Sequence, residues 1–219
     1  MLNPDPHNQM PLSVFGPPAH DAALAVILVH GRGQSPEWMH EQVVRRFERP
    51  DIAWHAPAAA EHSWYPQRFI EPLEANEPRL SQALARLESL SAALREQGIP
   101  YEAQVLMGFS QGACLCSEFV WRMPRPYRAL VAFTGGLIGP PGMARHIRHG
   151  ALRNMPVLLS TWGDDPYVPA ESVRESAACF EQSGALVTLK IEGATEHGIR
   201  NAEIGYAREI LAGTASSYP

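Results

Sequence analysis

The sequence predicts an α/β fold, a mostly parallel sheet with helices on both faces, and three observations carry that expectation. Short apolar runs alternate with longer amphipathic ones along nearly the whole chain. Several of the short runs are apolar at both odd and even positions, as strands covered on both faces require. The intervals between them are long enough for the helical crossovers that parallel strands need.

At 219 residues the chain can bury one substantial core and is short for two. Residues 1–21, rich in Pro, Asn and His, read as an N-terminal tail with one edge strand around Leu12 to Phe15, and residues 22–219 as a single domain. Strands are expected at 23–29, 52–56, 104–108, 129–133, 157–161 and 186–191. Ser35-Pro36-Glu37 combines an N-cap, a proline at the first helical position and an acidic first turn, opening a helix that runs to about Phe47. A longer helix over 77–97 places Leu80, Leu84, Leu87 and Leu94 on one side and stops at Gly98. Further helices are expected at 111–122, 170–183 and 201–211.

Composition removes several function classes. The net charge is −5 and no basic cluster interleaves with aromatics, so no nucleic-acid partner is expected. The N-terminus lacks a basic segment ahead of an apolar core, so no signal peptide is expected. The longest strongly apolar run, 22–29, is far too short to span a bilayer, so no stable membrane insertion is expected. Cys114, Cys116 and Cys179 are odd in number and match no disulfide or redox spacing; they read as small core residues of a cytoplasmic protein.

In open parallel sheets, function gathers at the carboxyl ends of the strands. There the stretch VLMGFSQGACLC, residues 105–116, sets Ser110 between Gly108 and Gly112 where a strand gives way to a helix. A nucleophile elbow needs this pattern: a strained turn bearing the serine, with small neighbours that let strand and helix approach. The N–H of Gln111, at the helix N-terminus, would face the same point and favour developing negative charge. A Gly-x-Ser-x-Gly also arises by chance, and the strand before and helix after are what set this one apart.

A serine hydroxyl needs a base, and the base needs an orienting group. Downstream, Asp164 and Asp165 follow the 157–161 strand, and His197 follows the last strand. Order and placement suit both roles, and spacing alone does not choose between the aspartates. His146 and His149, three apart with no third ligand nearby, read as solvated surface residues and not as a metal pair. His55 and His62 are expected in the loop after the second strand, before the serine in the chain. The turn His30-Gly31-Arg32-Gly33 after the first long strand can direct backbone N–H groups toward the space above Ser110.

The blocks LVHGRGQSPEWM, SWYP, GFSQGACL, GGLIGPPG and DPYVP, together with His197, resemble the phospholipase/carboxylesterase family of α/β-hydrolases, which includes acyl-protein thioesterases and small bacterial carboxylesterases. The resemblance spans roughly residues 22–212. It implies an α/β-hydrolase fold, with Ser110 as nucleophile, His197 as general base and Asp165, ahead of Pro-x-Val-Pro, as the acid. It implies Arg32 and Gln111 as oxyanion donors, and no metal or organic cofactor. The chain departs from the family pattern at Thr161-Trp162-Gly163, where relatives often carry His-Gly, and at Glu196 before the histidine.

The expected substrate is a small-molecule ester or thioester. Trp64, Tyr65 and Phe69 in the loop after the second strand, with Trp162 and Tyr167 beside the acid loop, are candidates for the pocket lining. With only GGLIGPPG and a short basic piece between 133 and 157, the lid is minimal, and short or soluble acyl groups are expected. The Arg32 side chain is expected to reach the mouth and favour substrates bearing a carboxylate. Two other readings stay open: a lactone or dienelactone hydrolase, whose relatives often carry cysteine at the elbow, and a binding protein that does no chemistry on this fold. A homodimer suits such a fold, though no segment specifies an interface.

Overall fold

The computed structural model describes residues 5–213, so the first four residues of the expected tail and the last six of the expected domain lie outside the described residues. Among the described residues, seven strands form one sheet: β1 Leu12–Phe15, β2 Leu24–Val29, β3 Ile52–Pro57, β4 Gln104–Phe109, β5 Ala129–Phe133, β6 Pro156–Trp162 and β7 Leu186–Glu192. Their order is β1-β3-β2-β4-β5-β6-β7. Only β1 runs antiparallel, pairing Leu12 with Pro57 and Phe15 with Trp54.

Strand alternation sorts the core into two layers. From β2, Ala25, Ile27 and Val29 face one layer; Leu24, Val26 and Leu28 face the other. The first layer is covered by α3 (Arg79–Glu96), α4 (Gln111–Arg122) and α5 (Ala170–Gln182), through residues such as Leu84, Phe119 and Phe180. The second is covered by the helical segment 36–47 and by α6 (Asn201–Ala212), through Met39, Phe47, Ile204 and Leu211. Both faces of β2, β4 and β5 are therefore dry, which is why their sequences are apolar at both parities.

Two helices differ from expectation. The helix over 36–47 is not uniform: α1 (Pro36–Met39) and α2 (Arg45–Phe47) flank a π-helical turn at His40–Val44. Met39, Val43 and Phe47 are all buried at a spacing of four. In an α-helix that spacing drifts about 40° per step, and the wider π turn takes back part of the drift. The helix expected from 77 begins at Arg79, because Pro78 holds Glu77 in extended backbone. Glu77 instead caps the helix, its carboxylate accepting from the Ser81 N–H at 3.0 Å and the Ser81 hydroxyl at 2.8 Å.

The N-terminal segment is tied down as well. His7 is fully buried; its Nδ1 accepts from the Ala60 N–H at 3.2 Å and its Nε2 donates to the Trp64 carbonyl at 3.1 Å. The chain leaves β2 toward β3 on one side and β4 toward β5 on the other. The loops after β2 and β4 thus part at adjacent carboxyl ends, and the crevice they open is where the site lies.

Candidate active site

Ser110 occupies the turn between β4 and α4 with φ 53° and ψ −119°, a conformation non-glycine residues rarely adopt. Its neighbours are glycines for steric reasons. A Cβ on Gly112 would sit 2.2 Å from the Val29 carbonyl oxygen and 2.5 Å from that of His30; one on Gly108 would sit 2.5 Å from the Gly112 carbonyl. The elbow therefore presses α4 against the end of β2. The strain at Ser110 is held by the β ladder on one side, where its N–H donates to Phe133 O at 2.9 Å. On the other side its carbonyl accepts from the Cys114 N–H at 3.0 Å.

The loops after β6 and β7 bring Asp165 and His197 to this serine. His197 Nε2 lies 2.9 Å from Ser110 Oγ, and His197 Nδ1 lies 2.8 Å from Asp165 Oδ2 and 3.1 Å from Oδ1. An ionised carboxylate only accepts, so Nδ1 carries the hydrogen and Nε2 is left to accept from the serine hydroxyl. The Asp165 side chain is wholly buried, and its Oδ1 also accepts from the N–H groups of Tyr167 and Val168, each at 2.8 Å. These bonds fix the carboxylate before it meets the imidazole. Asp164, the neighbouring aspartate, is exposed; its N–H donates to Ala194 O at 3.2 Å.

The imidazole is also held from behind. Its ring sits between those of Phe109 and Tyr167, each 5.0 Å away between centroids. The carbonyl of the next residue, Gly198, accepts from Trp162 Nε1 at 3.3 Å and from the Thr134 hydroxyl at 3.2 Å. Arg200 lies over the Trp162 ring at 4.4 Å, donates to Thr161 O at 3.1 Å and is paired with the buried Glu203 at 2.7 Å. Trp162, a pocket candidate by sequence, does not line the cavity. It is turned toward the histidine loop instead, where it can donate its single N–H.

The loop after β2 lies against the serine. A Cβ on Gly31 would come 3.2 Å from Ser110 Cβ and 2.7 Å from Gln34 Oε1, which accepts the Gly31 N–H at 3.0 Å. Among the described residues, no protein acceptor takes the backbone N–H of Arg32 or of Gln111. The side chains of these two residues serve the facing loop. Gln111 accepts from the Trp64 N–H at 2.9 Å and donates to Tyr65 O at 2.7 Å. Arg32 donates to Ser63 Oγ, Tyr65 O, Pro66 O and Gln67 O at 2.7–3.0 Å. A guanidinium so engaged is a strap for residues 63–67. Arg32 therefore reaches the cavity as expected but spends both terminal nitrogens on that loop.

These loops enclose a cavity of about 550 Å³ with Ser110 and His197 on its wall. Its buried part is made by Tyr65, Phe69, Cys114 and Val168, and its open part includes Gln67, Arg68 and the exposed Tyr167. Tyr65, Phe69 and Tyr167, three of the candidate lining residues, lie at the cavity. Trp64 is not: it is completely buried between His7 and His30, with ring centroids 5.4 and 5.1 Å away, and donates its indole N–H to His30 O at 2.8 Å. Tryptophan buries a large ring only if its N–H finds an acceptor, and the strand end supplies one.

Gln34, Arg68, Cys114 and Val168 also line the cavity, and none of them was a candidate from sequence. Cys114 had a signal, since it lies one helical turn after Ser110 and so shares its face. Burial pushes its thiol up to about 12, so it stands in the wall as a neutral group and not as a rival nucleophile. Burial likewise pushes the Tyr65 hydroxyl well above its usual value. His55 lies within β3 and His62 Nδ1 is 3.0 Å from Gln34 O. Among the described residues, no group of three or more His, Cys, Asp or Glu side chains is arranged to hold a metal ion, and no helix is long and apolar enough to cross a membrane.

A strained serine after one parallel strand, followed in the chain by an acid and a histidine after later strands, is the arrangement of an α/β-hydrolase. The model of the phospholipase/carboxylesterase family matches residues 12–214, β1 included, and the chain belongs to that family. It is a hydrolase of the carboxylesterase class. The structure of a phospholipase/carboxylesterase from Dyadobacter fermentans is similar at 34% identity and a TM-score of 0.83, covering 93% of this chain and 97% of the other. A carboxylesterase from Mesorhizobium loti aligns at 19% identity and TM-score 0.72, over 93% of this chain and 95% of its own. One from Bacillus cereus aligns at 17% and 0.73, over 94% and 95%. No curated protein sequence matches the chain.

Proposed function

We propose that the protein hydrolyses carboxylic esters of small substrates with short acyl groups through an acyl-enzyme on Ser110, thioesters being chemically admissible at the same site. The observation that carries this reading is the unbroken relay from Ser110 Oγ to His197 to Asp165, at 2.9 and 2.8 Å, on the wall of an open cavity. His197 Nε2 takes the serine proton as Oγ attacks the carbonyl carbon, and Asp165 stabilises the imidazolium that forms. The N–H groups of Gln111 and Arg32 receive the oxyanion, an effect of about 3 kcal/mol per donor. The protonated imidazole then gives its proton to the leaving alcohol, and the same base activates the water that releases the acid. The walls at Tyr65, Phe69, Cys114 and Val168 favour a short apolar acyl group, and nothing between β5 and β6 forms a long lid.

The test is covalent. A fluorophosphonate probe should label the protein stoichiometrically and leave Ser110→Ala untouched. Turnover of p-nitrophenyl esters should fall by about 10⁴-fold or more in that variant, toward the residual level that binding and oxyanion donors alone provide. A Ser110→Ala protein that still hydrolyses esters at the wild-type rate would refute the assignment. A panel of acyl lengths, as oxygen esters and as thioesters, fixes the preferred acyl group.

A further inference from the structure

The cavity mouth carries two guanidinium groups and no carboxylate. Arg32 and Arg68 both line it, while the other lining residues are Gln, aromatic, apolar or members of the relay. Asp165 does not line it, and its oxygens are taken by His197, Tyr167 N–H and Val168 N–H. Among the described residues, neither arginine forms an ion pair with a carboxylate, whereas nine of the other fifteen arginines do. Arg32 gives both terminal nitrogens to one hydroxyl and three carbonyls, all neutral, so its charge stays uncompensated while its N–H groups are consumed. Arg68 is different. Its one contact is from Nη2 to Tyr167 O at 3.3 Å, and it is exposed. A chain of net charge −5 thus places two guanidinium groups without carboxylate partners at the cavity that holds its serine.

We infer that the esters this site turns over best carry a carboxylate a few bonds from the scissile carbonyl, received by Arg68 with the fixed charge of Arg32 behind it. The inference rests on the hydrolytic reading of Ser110 and deepens it. A guanidinium matches a carboxylate with two parallel N–H donors, and Arg68 has the open edge that Arg32 lacks. The buried walls take the short apolar part of the substrate, and the rim takes the charge. Both halves of that description come from the same lining.

The experiment compares p-nitrophenyl hexanoate with the mono-p-nitrophenyl ester of hexanedioic acid, which differ by a terminal carboxylate on the acyl chain. A second pair places the carboxylate on the alcohol side: the hexanoate ester of 3-hydroxybenzoic acid against that of its amide. Wild type is expected to favour the charged member of at least one pair roughly tenfold in kcat/KM, and the ratio should shrink as salt is raised. In Arg68→Gln the ratio should fall to about one; because it is measured on one protein preparation, a folding defect does not move it. Equal kcat/KM within both pairs for wild type, or a preference that persists in Arg68→Gln, overturns the inference while leaving ester hydrolysis intact. No turnover of any of the four esters overturns the hydrolytic reading, and this inference with it.

Discussion

Replacing Gly112 with alanine tests whether the elbow works by close approach. A methyl group there would sit 2.2 Å from Val29 O and 2.5 Å from His30 O, both backbone atoms that cannot rotate aside. Side-chain carbons essentially never lie within 3.0 Å of such atoms, so α4 must retreat from the end of β2 by at least 3.0 minus 2.2, about 0.8 Å. That retreat carries the Gln111 N–H away from Arg32 and turns Ser110 Oγ off its 2.9 Å line to His197. A misplacement near 1 Å costs about 100-fold in rate, and overpacking costs about 1–3 kcal/mol in stability. The assay is kcat/KM on a p-nitrophenyl ester beside urea unfolding of the same preparation. Gly112→Ala should remain folded at room temperature with activity down by about two orders of magnitude. If it keeps wild-type kcat/KM, the contact of helix and strand does not set the position of the serine.

Four further outcomes follow from the site. Asp165→Asn keeps the shape but lets the imidazole take the wrong tautomer, so kcat should drop by about 10⁴-fold while Asp164→Asn changes it less than twofold. Trp162→Phe removes the indole N–H from Gly198 O, at 3.3 Å, and should lower kcat several-fold at constant KM; the loss should deepen with Thr134→Val, which removes the second donor. Arg32→Met frees four acceptors in 63–67 and should raise proteolytic susceptibility of that loop, read by limited digestion. Burial lowers the His30 pKa to about 4 from 6.5, and lowers that of His7 in the same sense. Below pH 6.5 the unfolded chain therefore binds protons that the folded chain refuses. Stability should decline as pH falls from 6.5 toward 4, by on the order of 3 kcal/mol for His30, and urea midpoints of His30→Gln should fall less steeply over that window.

Much of the site was legible because its chemistry demands particular residue types in a fixed chain order. Ser110 sits between glycines because backbone oxygens occupy the space a side chain would need, so the motif is a direct imprint of the contact. Asp165 against Asp164 was different. Both follow β6 and spacing does not separate them; the resemblance to the Asp-Pro-x-Val-Pro motif pointed to Asp165, whose Oδ1 accepts from two N–H groups. The tryptophans were illegible for a related reason. An aromatic residue near a strand end can face a pocket or pack beneath a loop. Trp64 packs beneath one because His30 O accepts its N–H, and Trp162 turns to Gly198 because the histidine loop passes there. The role of His7 was equally hidden, since its partners are 53 and 57 residues away.

The sequence alone determined the layered architecture and the strand-to-helix elbow, because both depend on local periodicity or on the size of an adjacent residue, and it set the serine, acid and histidine after successive strands. Tertiary structure decided that Arg32 spends both terminal nitrogens on the 63–67 loop, that Trp162 turns to the histidine loop, and that Arg68 stands open at the mouth. Those outcomes depend on where a side chain of fixed length finds an acceptor or a gap in space. Contacts between residues far apart in the chain leave no periodicity along it.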